Sequence, residues 1–261
     1  MERDHGPFDI IGDVHGCCTE LESLLRLLGY QFNAQAMADS VWGPGLWNHP
    51  EGRRAIFLGD LADRGPRILD TFRLAANMAA SGNALCVPGN HDEKLRRKLR
   101  GHDVKIANGL QNSLAEVERD PGLRTHLTAF IESLIDHYVL DGGALVVAHA
   151  GMKEELQGRK SSAVRAFALY GDPTGEVDVS GLPVRRDWAA NYHGRAMVVY
   201  GHTPVPRLEW VNNTVNIDTG CVFGGSLSAL RYPEREFVSV KALSTYARHP
   251  IFFAGAGNVL D

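Results

Sequence analysis

Five apolar runs in this 261-residue chain each open into a short polar segment whose side chains can bind cations or move protons. The first segment reads Asp13-Val14-His15. Residues i and i+2 of an extended backbone share a face, so Asp13 and His15 can grip one ion while Val14 turns into packing. Gly59-Asp60-Leu61-Ala62-Asp63-Arg64-Gly65 and Pro88-Gly89-Asn90-His91-Asp92 are the second and third, and the last two carry His149 and His202. Together Asp13, His15, Asp60, Asn90, His149 and His202 offer hard oxygen and imidazole nitrogen with no thiolate. Such donors suit two divalent ions, with Mn²⁺ the expected occupant and Fe, Zn²⁺, Ni²⁺ or Co²⁺ compatible. With Asp60 shared, Asp13 and His15 complete one site, and Asn90, His149 and His202 the other. Two ions roughly 3.5–4 Å apart can clamp an in-line displacement at phosphorus and bring a bridging water's pKa near neutrality. Arg64 and His91 adjoin the ligands in sequence. A guanidinium binds two phosphate oxygens at once, and an imidazole kept charged by a carboxylate such as Asp63 can protonate the departing oxygen.

Strands ending at a common edge would position such residues. Ala55-Ile56-Phe57-Leu58 shows no alternation and is followed by glycine, as expected of a strand buried on both faces. Pro66 is expected at a first helical position, and Ile68, Leu69, Phe72 and Ala75-Ala76 then recur at helical spacing up to a cap at Gly82. A first strand is expected over residues 8–12 and a leucine-striped helix over 19–28 with Gly29 as its stop. Residues 30–53 lack periodicity and read as an excursion or a small hairpin. A strand at 84–87 and a basic helix at 94–100 come next, the helix anchored by Leu95 and Leu99. Residues 104–138 read as helical, divided at Pro121-Gly122. The turn Asp141-Gly142-Gly143 joins a hairpin ending at Ala148, and further strands are expected at 197–200, 214–220, 226–232 and 236–240. Two stacked sheets flanked by helices accommodate this order.

Composition agrees with a folded enzyme-sized unit. Hydrophobic residues make up 44% and no low-complexity tract interrupts them, so one domain over residues 1–261 is expected. A net charge of −4 argues against a surface that coats long nucleic acid and leaves room for a basic patch around a small anion. Cys17, Cys18, Cys86 and Cys221 lack CxxC spacing and read as small buried hydrophobes in a reducing, cytoplasmic setting. The charged start, Met1-Glu2-Arg3-Asp4-His5, resembles neither a signal peptide nor a membrane span. His5, His49, His102, His126, His137, His193 and His249 lack the recurring turn and read as surface or packing histidines, and Tyr200 and Trp188 as core. For phosphate contacts the candidates are Lys94 and Arg97 on the basic helix, and Arg185 and Arg186. Asp218 is a candidate orienter of a ligand histidine.

The ordered series Gly12-Asp13-Val14-His15-Gly16, Gly59 to Gly65, Gly89-Asn90-His91-Asp92, His149 and Gly201-His202 resembles the phosphoprotein-phosphatase branch of the calcineurin-like metallophosphoesterases. That resemblance covers most of the chain. It implies a four-layer αββα sandwich of two mixed sheets, the ligand set above, and an Asp63–His91 dyad serving the leaving group. Leu169-Tyr170-Gly171-Asp172, Gly181-Leu182-Pro183-Val184-Arg185-Arg186-Asp187-Trp188 and Asn216 to Gly225 are similar to two nucleotide-acting groups within it. One is the PrpE-type bis(5′-nucleosyl)-tetraphosphatases, enzymes of about this size. The other is the phosphatase module of bacterial polynucleotide kinase-phosphatases, which removes terminal or 2′,3′-cyclic phosphates from RNA. Arg231-Tyr232-Pro233-Glu234 is similar to the second group, while the lack of a kinase P-loop in these residues favours the first. A serine/threonine protein phosphatase is the further alternative. The resemblance thus implies a small nucleotide or short oligonucleotide substrate, no membrane and no obligate protein partner.

Overall fold

The computed structural model describes residues 4–178 and 183–248, so Met1-Glu2-Arg3, Gly181-Leu182 and His249 lie outside the described residues. Two five-stranded mixed sheets form its centre. In the first, β1 (Phe8–Ile11), β4 (Arg54–Phe57) and β5 (Ala84–Cys86) run parallel, while β13 (Ser226–Tyr232) lies antiparallel to β1 and carries β14 (Glu236–Lys241) at the edge. In the second, β7 (Leu145–Ala148), β10 (Met197–Tyr200) and β12 (Thr214–Asn216) run parallel between the antiparallel edges β6 (His137–Leu140) and β11 (Trp210–Val211).

Period-two alternation in fully buried strands assigns the layers. Phe8, Ile10, Ile56, Leu58, Val147 and Val199 pack together between the sheets. Their neighbours Ile11, Ala55 and Phe57 face α1 (Cys18–Leu28) and α2 (Ile68–Ala80). Val146, Ala148 and Val198 face outward on the other side, against α6 (Ser162–Tyr170) and Trp188. The result is the αββα sandwich. Helices α3 (Asn90–Leu99), α4 (Leu110–Arg119) and α5 (Leu123–Ser133) extend the first helical layer, packing on one another and on α2. Residues 30–53 contain a hairpin, β2 (Gln31–Asn33) with β3 (Leu46–Asn48), and a second small hairpin pairs β8 (Pro173–Val177) with β9 (Pro183–Arg185). Among the described residues no helix is long and apolar enough to cross a membrane.

Several boundaries differ from the sequence expectation for identifiable reasons. Helix α2 starts at Ile68 instead of Pro66: the Arg67 N–H is engaged by the Gly16 carbonyl at 3.0 Å, and the Glu116 carboxylate of α4 accepts from the Ile68 and Leu69 N–H groups at 3.0 and 2.8 Å. That cap comes from 48 residues away in sequence. Helix α3 starts at Asn90 instead of Lys94, because Asp92 accepts from the Gly89 N–H at 2.9 Å and fastens the first turn. Helix α6, capped by Ser161 Oγ accepting from the Val164 N–H, has no counterpart among the elements expected from the sequence, nor have β8, β9 and β11. Tyr138 lies in strand β6 and not in a helix.

Candidate active site

Every candidate ligand follows the C-terminal end of a parallel strand. Asp13 and His15 follow β1, Asp60 follows β4 and Asn90 follows β5, whereas His149, His202 and Asp218 follow β7, β10 and β12. Both sheets therefore deliver side chains to one edge of the sandwich. Close backbone approach makes this possible. A Cβ on Gly89 would sit 2.2 Å from the Asp60 nitrogen, and one on Gly201 would sit 2.2 Å from Asp13 Oδ1. Positive φ at His15, Asp60, Asp63, Arg64 and His202 is uncommon for residues bearing a Cβ and concentrates here.

Asp60 lies between two groups of donors. Its Oδ2 is 3.4 Å from His15 Nε2 and its Oδ1 is 3.6 Å from His149 Nε2. Asn90 Oδ1 is 3.0 Å from His149 Nε2 and 2.8 Å from His202 Nδ1, and these two imidazole nitrogens are 3.0 Å apart. Asp13 accepts from the His202 backbone N–H at 3.1 Å. The hydrogen-bond network fixes the tautomers. His15 Nδ1 faces the Ala62 carbonyl at 2.7 Å and His149 Nδ1 faces the Leu58 carbonyl at 2.8 Å. A carbonyl only accepts, so each proton sits on Nδ1 and each Nε2 lone pair points towards Asp60. The lone pair of His149 therefore meets the oxygens of Asn90 and Asp60, a convergence of acceptors that a cation satisfies. On the His15 side the guanidinium of Arg64 supplies positive charge, with one nitrogen 2.5 Å from His15 Nε2.

Electrostatics point the same way. Burial, then the charges of Asp218 and Asp60, pushes Asp13 well above the usual carboxylate range. Asp60 and Asp218 are raised to about 7, chiefly by burial. Burial likewise lowers His149 to about 3 and holds His15 and His202 well below their ordinary value, as neutral ligand-ready imidazoles. These residues can hold divalent ions.

A proton-handling chain lies alongside. His91 Nδ1 is 2.6 Å from Asp63 Oδ2, and Ser113 Oγ donates to Asp63 Oδ1 at 2.5 Å while accepting from the Asp63 N–H at 2.9 Å. Arg64 donates to His91 Nε2 at 2.9 Å. Burial first, and then the neighbouring Arg64, hold the His91 ring well below its ordinary value and oppose the charge that Asp63 would favour. Asp63 itself is raised to about 6 by burial. A cleft of about 360 Å³ lies over these groups, lined also by Asn108, Tyr170, Arg185 and Phe223.

The remaining candidates divide. Arg185 lines the cleft, its Nε donating to the Tyr170 carbonyl at 3.1 Å. Lys94 donates to the Ala107 carbonyl at 2.7 Å and does not line the cleft, and Arg97 projects into solvent from α3. Arg186 pairs with Asp172 at 3.2 Å in a neighbouring cavity. Asp218 accepts from the Gly220 N–H at 3.0 Å and hydrogen-bonds no histidine among the described residues, because carbonyls of Ala62 and Leu58 already orient His15 and His149. Trp188 is buried and packs on the half-buried Tyr200. His49 is buried and bonds the Leu28 carbonyl at 3.2 Å.

Sequence reasoning missed Ser113 and the role of Asp92, whose carboxylate accepts from the backbone N–H groups of Leu61, Ala62 and Gly89 and ties the two central turns together. No local pattern marks Ser113, which arrives from α4, 50 residues beyond Asp63. Arg231 and Glu234 join Asp9 and Arg53 at the opposite, N-terminal end of β1, so that motif sits far from the cleft.

Fold and site together define a metal-dependent phosphoester hydrolase. The chain belongs to the calcineurin-like phosphoesterase family, which matches residues 6–206. It is 46% identical over 92% of its length to the asymmetrical bis(5′-nucleosyl)-tetraphosphatase PrpE of Anoxybacillus flavithermus, covering 96% of that protein. Identity to the PrpE of Bacillus velezensis is also 46%, over 92% of this chain and 94% of that one. A crystal structure of an inferred diadenosine tetraphosphatase superposes with a TM-score of 0.64 at 24% identity, over 93% of this chain and 96% of the other, and shares the fold.

Proposed function

We propose that this chain is a single-domain hydrolase of bis(5′-nucleosyl) tetraphosphates that cleaves them asymmetrically, using two divalent ions, Mn²⁺ foremost, in the cytoplasm. The observation that carries this reading is Asp60, whose two oxygens face separate donor groups at the floor of a cleft walled by Arg64 and Arg185. The names of relatives that align nearly end to end supply the substrate. The oligonucleotide alternative loses support, since Arg231-Tyr232-Pro233-Glu234 serves the far end of the sheet.

Asp13, His15 and Asp60 would hold one ion, and Asp60, Asn90, His149 and His202 the other. Bound there, the ions supply Lewis-acid activation of the attacking oxygen and neutralise charge on the reacting phosphate. The protein's own groups do the rest. Arg64, drawn to a phosphate, releases His91 Nε2 and presents two N–H groups to the non-bridging oxygens. His91 can then hold a proton at Nε2 for the departing oxygen, while Asp63 and Ser113 fix the ring through Nδ1. Arg185 meets phosphates further along the chain, and Tyr170 and Asn108 bound the space for a nucleoside.

The test compares Mn²⁺-dependent turnover of diadenosine tetraphosphate with that of oligoribonucleotides bearing a 3′-phosphate or a 2′,3′-cyclic phosphate, and with an aryl phosphate. The expected result is fastest cleavage of the dinucleotide into unequal nucleotides. Preference for the oligonucleotide would move the assignment to RNA-end repair.

A further inference from the structure

Three ligand-type side chains with no part in the proposed reaction meet beside the cleft floor. Cys17 follows the β1 turn, Glu20 lies on α1, and Cys221 follows the turn after β12. One ligand atom of each lies within 4.8 Å of the others, and all three residues are buried. Both cysteines are free thiols, and Cys17 Sγ donates to the His15 carbonyl at 3.9 Å. Glu20 is the informative member. It is 1% exposed, and its Oε1 accepts from the Leu243 N–H at 3.0 Å and from Tyr246 Oη at 2.8 Å. Its Oε2 is buried with no hydrogen-bond partner among the described residues. An unsatisfied buried polar atom costs roughly 1–3 kcal/mol, more for a charged group, and calls for an explanation.

We infer that Cys17, Glu20 and Cys221 form a separate structural cation site for a thiophilic divalent ion, Zn²⁺. Two sulfurs and one carboxylate oxygen are donors that select zinc over manganese, the reverse of the thiolate-free set in the cleft. The spacing is close to what is needed: at about 2.3 Å per Zn–S bond, two sulfurs on one tetrahedral ion stand roughly 4 Å apart. On coordination each thiol gives its proton to solvent and the orphaned Oε2 gains its partner. A water would complete the fourth position. The ion would bind the β1 turn, which carries Asp13 and His15, to α1 and to the turn carrying Asp218. The chain after β14 joins the same clasp, since the Tyr246 and Ala247 N–H groups donate to the Val222 carbonyl at 3.0 Å.

The full-length chain is loaded with Co²⁺ and examined for the near-ultraviolet sulfur-to-cobalt charge-transfer band, which the sulfur-free cleft cannot produce. The band is expected in the wild type and in Asp60→Asn, and is expected to vanish in Cys221→Ser. Glu20→Gln, which keeps both thiols and the side-chain volume, should lose zinc at lower chelator concentration than the wild type. Absence of the band in the wild type and Asp60→Asn overturns the inference, as does a Cys17–Cys221 disulfide found by mass spectrometry. Neither outcome bears on turnover of diadenosine tetraphosphate, so failure here is distinguishable from failure of the proposed function.

Discussion

Ser113, Asp63, His91 and Arg64 form one line of hydrogen bonds, each group oriented by the one behind it. Asp63 accepts from both Ser113 and His91, so together with the Arg64 N–H that donates to Nε2 it places the His91 proton on Nδ1. Asp63→Asn keeps the shape but removes the negative charge that supports a ring protonated at both nitrogens, and leaves the ring free to turn. Turnover of diadenosine tetraphosphate should fall roughly 10²- to 10⁴-fold, the range of a general-acid contribution. Bound divalent metal, measured on the same preparation, should not change; loss of metal would instead make Asp63 a scaffold for Asp60. Ser113→Ala should cost less, because Asp63 keeps its charge and its bond to His91 Nδ1, and its carbonyl still accepts from the Gly65 N–H at 2.8 Å. At this scale the sequence was informative about the ligands, since strand-end alternation exposes Asp13 and His15 together. It was silent about Ser113, whose partner lies 50 residues away, about the bonds of Asp92 to Leu61 and Ala62, 31 and 30 residues away, and about the positive φ that turns His15, Asp60 and His202 inward.

Helix α3 presents Asn90 and His91 in its first turn, so the site's geometry depends on what holds that turn. Beyond the Asp92 carboxylate, Glu93 pairs with Arg96 on the same helix at 2.7 Å and with Arg165 of α6 at 2.9 Å. The pair with Arg165 joins helices of two different layers. Burial of Glu93 opposes its charge, but hydrogen bonds and charge from Arg96 and Arg165 outweigh it and leave its carboxyl below the usual range. A depressed carboxylate adds stability above its unfolded pKa and loses it as pH falls through the folded value. Glu93→Gln should therefore lower stability by roughly 1 kcal/mol near neutral pH, about 2–4 °C in Tm, and should match the wild type in acid. Melting curves at several pH values check this, and a constant difference down to the acid limit would place the effect in packing. The same pairs explain why the basic helix misleads in sequence: Arg96 and Arg100 are drawn to Glu132 and Lys94 to a carbonyl, partners with no local signature. Helix α6 was legible in principle, through its Ser161 cap and the glycine after Tyr170, but its nine residues are short and the surrounding segment is irregular.

Across the whole molecule, the candidate ligands are shared between the sheets: Asp13, His15, Asp60 and Asn90 from one, His149 and His202 from the other. Between them lies mainly apolar packing, Ile10, Ile56 and Leu58 against Val147 and Val199, crossed by a few hydrogen bonds such as His149 Nδ1 to the Leu58 carbonyl and Tyr138 Oη to the Cys86 carbonyl at 3.3 Å. At the cleft edge that packing gives way to three buried carboxylates raised chiefly by burial, with the charges of Asp218 and Asp60 adding to the shift of Asp13 and that of Asp60 adding to the shift of Asp218. Divalent ions would thus bridge two layers that otherwise meet mainly through apolar contact and would relieve repulsion at the same time. Because the unfolded chain does not assemble this set, the binding energy appears as folding stability. A ligand at 100 times its Kd adds about 2.7 kcal/mol per site, several degrees in Tm for a chain of this size. Mn²⁺ should therefore raise the melting temperature of chelator-treated protein in a concentration-dependent way. In Asp60→Asn, which removes the carboxylate both donor groups face, most of that rise should disappear. If Mn²⁺ stabilised the variant as much as the wild type, the ions would not be bridging the sheets through Asp60, and the two-ion arrangement would have to be rebuilt around Asp13 and Asp218.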